Sequence, residues 1–233
     1  MDAIIEFVET CFKNVSASEF GKAIFETIYI TLISTVIAYV FGIPLGVILY
    51  GTSQGSIFPN KYVNMIIGLF VNIFRSVPFI ILLVLTQPFA KLVVGTKLGN
   101  IAFIFYLTLA AIPFVARMVE SSLQEVDLGV IEAANAMGTG NFKIIYKVLL
   151  PEAKPSLLIG GAIAFTTILG YTPMTYLIGG GGLGNLAIRW GIYRTDPYMK
   201  ILSSIMLIAI VEVFQWAFTK LSYKTDRRKK EHK

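Results

Sequence analysis

Three observations on this 233-residue sequence predict an all-α polytopic membrane protein with five transmembrane helices. Hydrophobic residues make up 55% of the chain and charged residues 15%, against roughly a quarter charged in soluble domains. Two long stretches, Thr27 to Asn60 and Pro155 to Ile188, contain no Asp, Glu, Lys or Arg. A bilayer span needs ~20 predominantly apolar residues, so each stretch holds one span with a re-entrant or loop portion besides. The positive charge is concentrated at one end: Lys224 to Lys233 holds six basic and two acidic residues, which supplies +4 of the net +6. A basic cluster just beyond an apolar helix is a cytoplasmic anchor against anionic lipid. With no soluble domain left to use that charge, nucleic-acid binding is excluded.

In chain order, residues 1–20 read as an extracytoplasmic amphipathic lead-in. The first nineteen residues carry Asp2, Glu6, Glu9 and Glu19 against Lys13 alone, the wrong charge for a secretory signal. Cys11 is the only cysteine, so no disulfide within the chain and no cysteine metal cluster is expected. Glu9 and Thr10 before it do not form a lipidation box. Residues 21–223 form the transmembrane domain, with spans over about Thr27–Tyr50, Tyr62–Phe89, Leu98–Ala116, Pro155–Ile178 and Ile201–Thr219. The second is interrupted by Arg75 and bent around Pro78. Residues 224–233 are the basic tail. Five spans put the termini on opposite sides, and the positive-inside bias selects N-out, C-in. That choice leaves thirteen Lys or Arg inside, counting Arg75, and seven outside.

This topology places the interval Glu132 to Pro151 in the cytoplasm. Asp127 and Gly129 open a helix over about Val130–Met137, on which Val130, Ala133, Ala134 and Met137 share a face. Alanines keep that face small enough for close approach by another backbone. Gly138 suits the left-handed residue that ends a helix. Asn141 is placed to cap the next helix, with Phe142, Ile145, Tyr146 and Leu149 as its stripe and Lys143 and Lys147 off it. Pro151 stops the pattern, and Pro155 suits the first turn of the fourth span. Periodicity alone favours an ordinary amphipathic interfacial hairpin between two spans.

The spacing adds a resemblance. Glu132-Ala133-Ala134, Gly138, then Val148-Leu149-Leu150-Pro151 resembles the EAA loop of ABC importer permeases, with valine where that pattern has isoleucine. Asn72 to Leu83, Leu107 to Phe114 with Arg117 and Glu120, and Gly179 to Gly184 with Leu186 to Arg189 and Gly191 resemble segments of the methionine importer permeases. Together the likeness covers about Phe20 to Tyr223.

The resemblance implies a permease subunit in the bacterial cytoplasmic membrane that passes methionine, or a similar small amino acid, inward as a homodimer. It implies two cytoplasmic ATPase subunits that bind the ATP and Mg, so no cofactor, metal or catalytic residue is expected in this chain. An extracytoplasmic binding protein, expected as a lipoprotein, would deliver substrate. Glu132, Ala133, Ala134, Gly138, Val148, Leu150 and Pro151 would dock into the ATPase, whose closure would rock the spans between two packings.

Other residues keep two readings each. Arg75 is costly in an apolar stretch; it serves gating with Asn72, Ser76 and Pro78 beside it, or it snorkels from a span end. Asn72 and Ser76 are spaced to satisfy some of its donors. Glu212, with Gln215 three residues on, is a relay carboxylate or a paired or neutralised acid near the cytoplasmic third. Tyr171, Pro173 and Met174, with Thr172 and Thr175, bring polar groups and a proline into the fourth span. Carbonyls freed there are tolerated only against protein or water, which makes the segment a candidate for the pathway or a site of helix packing. Gly179 to Gly184 fits G-x-G-x-x-G but follows a span instead of a strand, which argues against a dinucleotide site. The expected role is a tight external turn, in which the bare backbone of Gly179, Gly180, Gly181 and Gly182 lets the binding protein or the second permease approach, with Arg189 and Arg194 as candidates for docking that partner. His232 lies in the tail. A rival of another class is a stand-alone secondary transporter or channel pairing Glu212 with Arg75.

Overall fold

The computed structural model describes Phe12, residues 15–194 and residues 197–226. Cys11, most of the acidic lead-in, and the basic tail from Arg227 on, including His232, lie outside these. The described elements are all helical. Four helices are long and apolar enough to cross a membrane, or five if one bent pair counts as a span.

Helix α1 (Ala17–Gly51) starts ten residues before the predicted span. Ser16 Oγ accepts from Glu19 N–H at 3.1 Å, half of a Ser-x-x-Glu capping box that fixes this early start. The predicted second span divides into α2 (Lys61–Ser76), α3 (Phe79–Leu85) and α4 (Gln87–Val94). Asn60 Oδ1 caps α2 by accepting from the N–H groups of Tyr62 and Val63. Pro78 bars the residue before it from helical geometry, and Val77 is extended at φ −79°, ψ 124°. Helix α2 ends there, and α2 with α3 forms the bent pair.

The third predicted span lengthens to α5 (Gly99–Gln124), which takes in Arg117 and Glu120. After α6 (Leu128–Ala136) and α7 (Asn141–Ile144), a π-helical turn over Ile145–Leu149 leads directly into α8 (Leu150–Gly170). Pro151 therefore does not stop the helix. Leu150 N–H donates to Ile145 O with the wide five-residue spacing, and the N–H that Pro151 lacks falls where the spacing returns to four. Pro155 is inside α8 instead of opening it.

The predicted fourth span ends as a helix at Gly170 and continues as a 3-10 helix over Thr172–Ile178. Then come α9 (Leu183–Ile188), a second π turn (Arg189–Tyr193) and α10 (Pro197–Thr225).

The chain forms two compact units, and α1, α5, α8 and α10 contribute residues to both. One unit comprises residues 1–35, 79–108 and 165–214. Its part of α1 buries Phe20, Ala23, Thr27, Ile30, Thr31 and Ser34 on one helical face. The threonines cost little there, because Thr27, Thr31 and Thr35 donate to carbonyls four residues earlier at 2.7–2.9 Å. Phe103, Tyr106 and Leu107 of α5 are also buried, and Phe165 stacks on Phe214.

The other unit comprises residues 36–78, 109–164 and 215–233. Here Gly42 and Gly46 of α1 lie against α5. A Cβ on Gly42 would stand 2.6 Å from a Val115 methyl, and one on Gly46 would stand 2.6 Å from Ala116 O. This is the small-xxx-small contact that lets two membrane helices approach closely. Leu49, Val71 and Ala116, with Leu45 and Ile67, pack beside it.

Candidate functional site

In the segment resembling an EAA loop, Asp127 Oδ1 accepts from Gly129 N–H at 2.7 Å and caps α6. The helix ends in a Schellman turn: Thr139 N–H donates to Ala134 O at 3.1 Å and Gly138 N–H to Asn135 O at 2.9 Å. Gly138 takes φ +73°, and a Cβ there would meet nothing within 4 Å. Its identity follows from the backbone, with open space around it in this chain. Glu132, Ala133 and Pro151 are exposed, Val148 and Leu150 half-buried, and Ala134 buried.

The predicted stripes divide. Ile131 and Ala134 turn inward together, while Val130 and Met137 stay exposed. Beyond Gly138, Ile144, Ile145 and Leu149 are buried, with Phe142 80% and Tyr146 61% exposed. The π turn rotates the face that a uniform helical period assigns. Asn141 does not cap α7. It is the first residue of that helix, and its Nδ2 donates to Ile57 O at 3.1 Å.

The pathway candidates fall in different units. Asn72, Arg75 and Ser76 occupy the end of α2, with Pro78 just after it. Arg75 is exposed, and its two neighbours are engaged elsewhere. Asn72 Oδ1 accepts from Arg117 Nη2 at 3.0 Å, and Ser76 Oγ donates to Asn72 O at 2.8 Å. Arg117 also donates to Glu120 Oε2 at 2.6 Å, and only 28% and 12% of the two side chains are exposed. In the other unit Tyr171 stacks on Phe79 at 4.6 Å. Pro173 lies at the start of the 3-10 helix instead of within a continuous span, and Met174 is half-buried. Glu212 is exposed on α10.

The glycine loop is more internally bonded than an open docking turn. Five consecutive N–H groups have acceptors: Gly179 to Tyr176 O, Gly180 to Thr175 O, Gly181 to Asn100 Oδ1, Gly182 to Glu26 Oε2 and Leu183 to Thr27 Oγ1. Gly180 and Gly182 are buried, Gly181 is half-buried and Gly179 is exposed. Arg189 pairs with Glu19, and the Arg194 guanidinium lies 4.3 Å over the Trp190 ring. Glu19, Glu26, Asn100, the four glycines and Arg189 border an open cleft of about 760 Å³. Sequence reading passed over Glu26, Thr27 and Asn100. The available signal is an acid followed by a threonine at the mouth of an apolar run.

Comparison with known proteins identifies the family. Residues 42–224 match the family described as binding-protein-dependent transport system inner membrane component. The probable D-methionine transport system permease protein MetI of Vibrio cholerae is 44% identical over 88% of this chain and 92% of its own length. The methionine import system permease protein MetP of Bacillus subtilis is 44% identical over 89% of this chain and 93% of its own. A solved chain from inward-facing conformations of the MetNI methionine ABC transporter superposes with TM-score 0.87 at 39% identity, covering 91% of this chain and 98% of that one. Four apolar helices and a bent pair, a capped helix ending on left-handed Gly138, and a match over residues 42–224 converge: the chain belongs to the family of binding-protein-dependent transport system inner membrane components.

Proposed function

We propose that this chain is the permease subunit of an ATP-driven methionine importer of the bacterial cytoplasmic membrane. It is a transport component and not an enzyme; ATP and Mg are bound by two cytoplasmic ATPase subunits. Two copies of the chain form the pathway, arranged N-out and C-in with the bent pair as the second of five spans. An extracytoplasmic binding protein delivers methionine beside Gly179, Tyr193 and Arg194.

One observation carries the coupling role. Leu128, Val130 and Met137 are exposed between two long apolar helices, and Phe142 and Tyr146 are exposed in the first turns of the second of these, so all five fall within one short segment. Clustered exposed apolar side chains mark an interaction surface. Ala133 beside them permits close approach, and Gly138 provides a turn that no side chain of this chain crowds. Closure of the ATPase dimer pulls the segment and switches the spans between two packings.

Gly138→Asn tests this. Asparagine tolerates the left-handed region better than other side chains, and nothing within the chain opposes it. The variant is expected to insert normally and to lose most ATP-driven methionine uptake, together with ATPase co-purification. Wild-type uptake by Gly138→Asn would remove the coupling assignment.

A further inference from the structure

We propose that Glu26 is a positioning residue which, with Thr27 and Asn100, holds the Gly179–Leu183 loop in the form that receives the binding protein. The proposal rests on the importer reading for the partner, and on geometry alone for the clamp.

Gly181, Gly182 and Leu183 direct three successive N–H groups at three different side chains, at 2.7, 2.9 and 2.8 Å. Asn100 is itself fixed, since its Nδ2 donates to Tyr29 Oη at 2.8 Å. On the loop, Asn185 Nδ2 donates to Gly180 O at 2.6 Å. The glycines are required by these partners. A Cβ on Gly181 would stand 1.8 Å from Glu26 Oε2, and one on Gly180 would stand 2.9 Å from Asn100 Oδ1. Gly184 closes the far side, where a Cβ would lie 2.5 Å from Pro173 N. Without these side chains, three unsupported amides would leave the glycine loop free to sample many conformations.

A carboxylate accepting from backbone N–H is among the stronger hydrogen bonds. Glu26 is thus the strongest single restraint on the loop, while Glu19 is engaged with Arg189 on the same cleft. A loop held before the partner arrives binds it without a further ordering cost.

The test uses Glu26→Ala, Glu26→Gln, Gly181→Ala and Glu26→Ala/Gly181→Ala in the full chain. Glutamine keeps an oxygen acceptor. The alanine at 181 displaces the flexible end of Glu26, so both routes remove the same bond. Hydrogen exchange over residues 179–183 reads the clamp directly. Uptake of labelled methionine against binding-protein concentration, in the complete transporter, reads its use.

Exchange of the loop amides is expected to rise about tenfold or more in Glu26→Ala and in Gly181→Ala. The double variant should be no faster than either, and Glu26→Gln should stay within about threefold of wild type. The half-saturating binding-protein concentration should rise about tenfold in the same variants, with the maximal rate kept within about twofold.

Unchanged exchange in Glu26→Ala, or a double variant whose effect is the product of the two, overturns the clamp. Faster exchange with an unmoved half-saturation overturns its role in docking. A wild-type transporter that takes up methionine without any binding protein overturns the importer reading, and the exchange result still decides the clamp.

Discussion

Arg117 and Glu120 show how a single pair constrains a membrane helix. Glu120 is 9% exposed, and its carboxylate is matched by a guanidinium that also reaches Asn72 and, at 3.4 Å, Gly68 O on α2. Removing one partner of a buried pair costs more than removing both, because the remaining charge is left uncompensated. Arg117→Ala is therefore expected to lower stability by roughly 2–4 kcal/mol, and Arg117→Ala/Glu120→Ala by clearly less. Thermal unfolding of the purified chain in detergent measures the order; a double variant less stable than the single contradicts it. The same residues show what sequence leaves hidden. Arg75 stands out because it interrupts an apolar run, whereas Arg117 takes the Asn72 side chain that lies a turn before it. Charge marks both arginines equally, and only the packing of α2 beside α5 selects one.

At the scale of elements, legibility followed local chemistry. The Schellman end at Gly138 and the cap at Asp127 are set by a few neighbouring residues, and both were readable. The early start of α1 is equally local, in Ser16 and Glu19, but it lies outside the uncharged stretch that marks the span. The passage of the helix through Pro151 was not readable, because a π turn is announced by no residue pattern and rotates every face beyond it. Within the turn Ile145 and Leu149 are buried while Tyr146 is exposed.

The contact of α1 with α5 gives a further prediction at this scale. In Gly46→Ala the new methyl would stand 2.5 Å from Val119 Cβ and 2.6 Å from the Ala116 carbonyl oxygen, so backbone must shift. A destabilisation of about 1–3 kcal/mol is expected. Gly21→Ala, with nothing within 4 Å, should be neutral or stabilising by up to about 1 kcal/mol. Equal melting temperatures for the two variants would contradict the close helix contact.

For the whole molecule, membrane character, helical class and family were all legible, since they depend on composition and on spacing along the chain. The shape of the Gly179–Gly182 loop was not, because its partners Glu26 and Asn100 are 156 and 81 residues away. Orientation makes a global prediction. In a Cys11→Ser background, Phe142→Cys should react with an impermeant maleimide only from the cytoplasmic face and be protected by added ATPase. Tyr193→Cys should react from the outside. The opposite labelling would reverse N-out, C-in.

The most direct measurement is methionine uptake into proteoliposomes holding this chain alone, or with its ATPase and binding protein. ATP-driven importer function predicts uptake only in the complete assembly, only with ATP, and mostly lost in Gly138→Asn. Uptake by the chain alone, without ATP, would contradict it and show a stand-alone transporter instead.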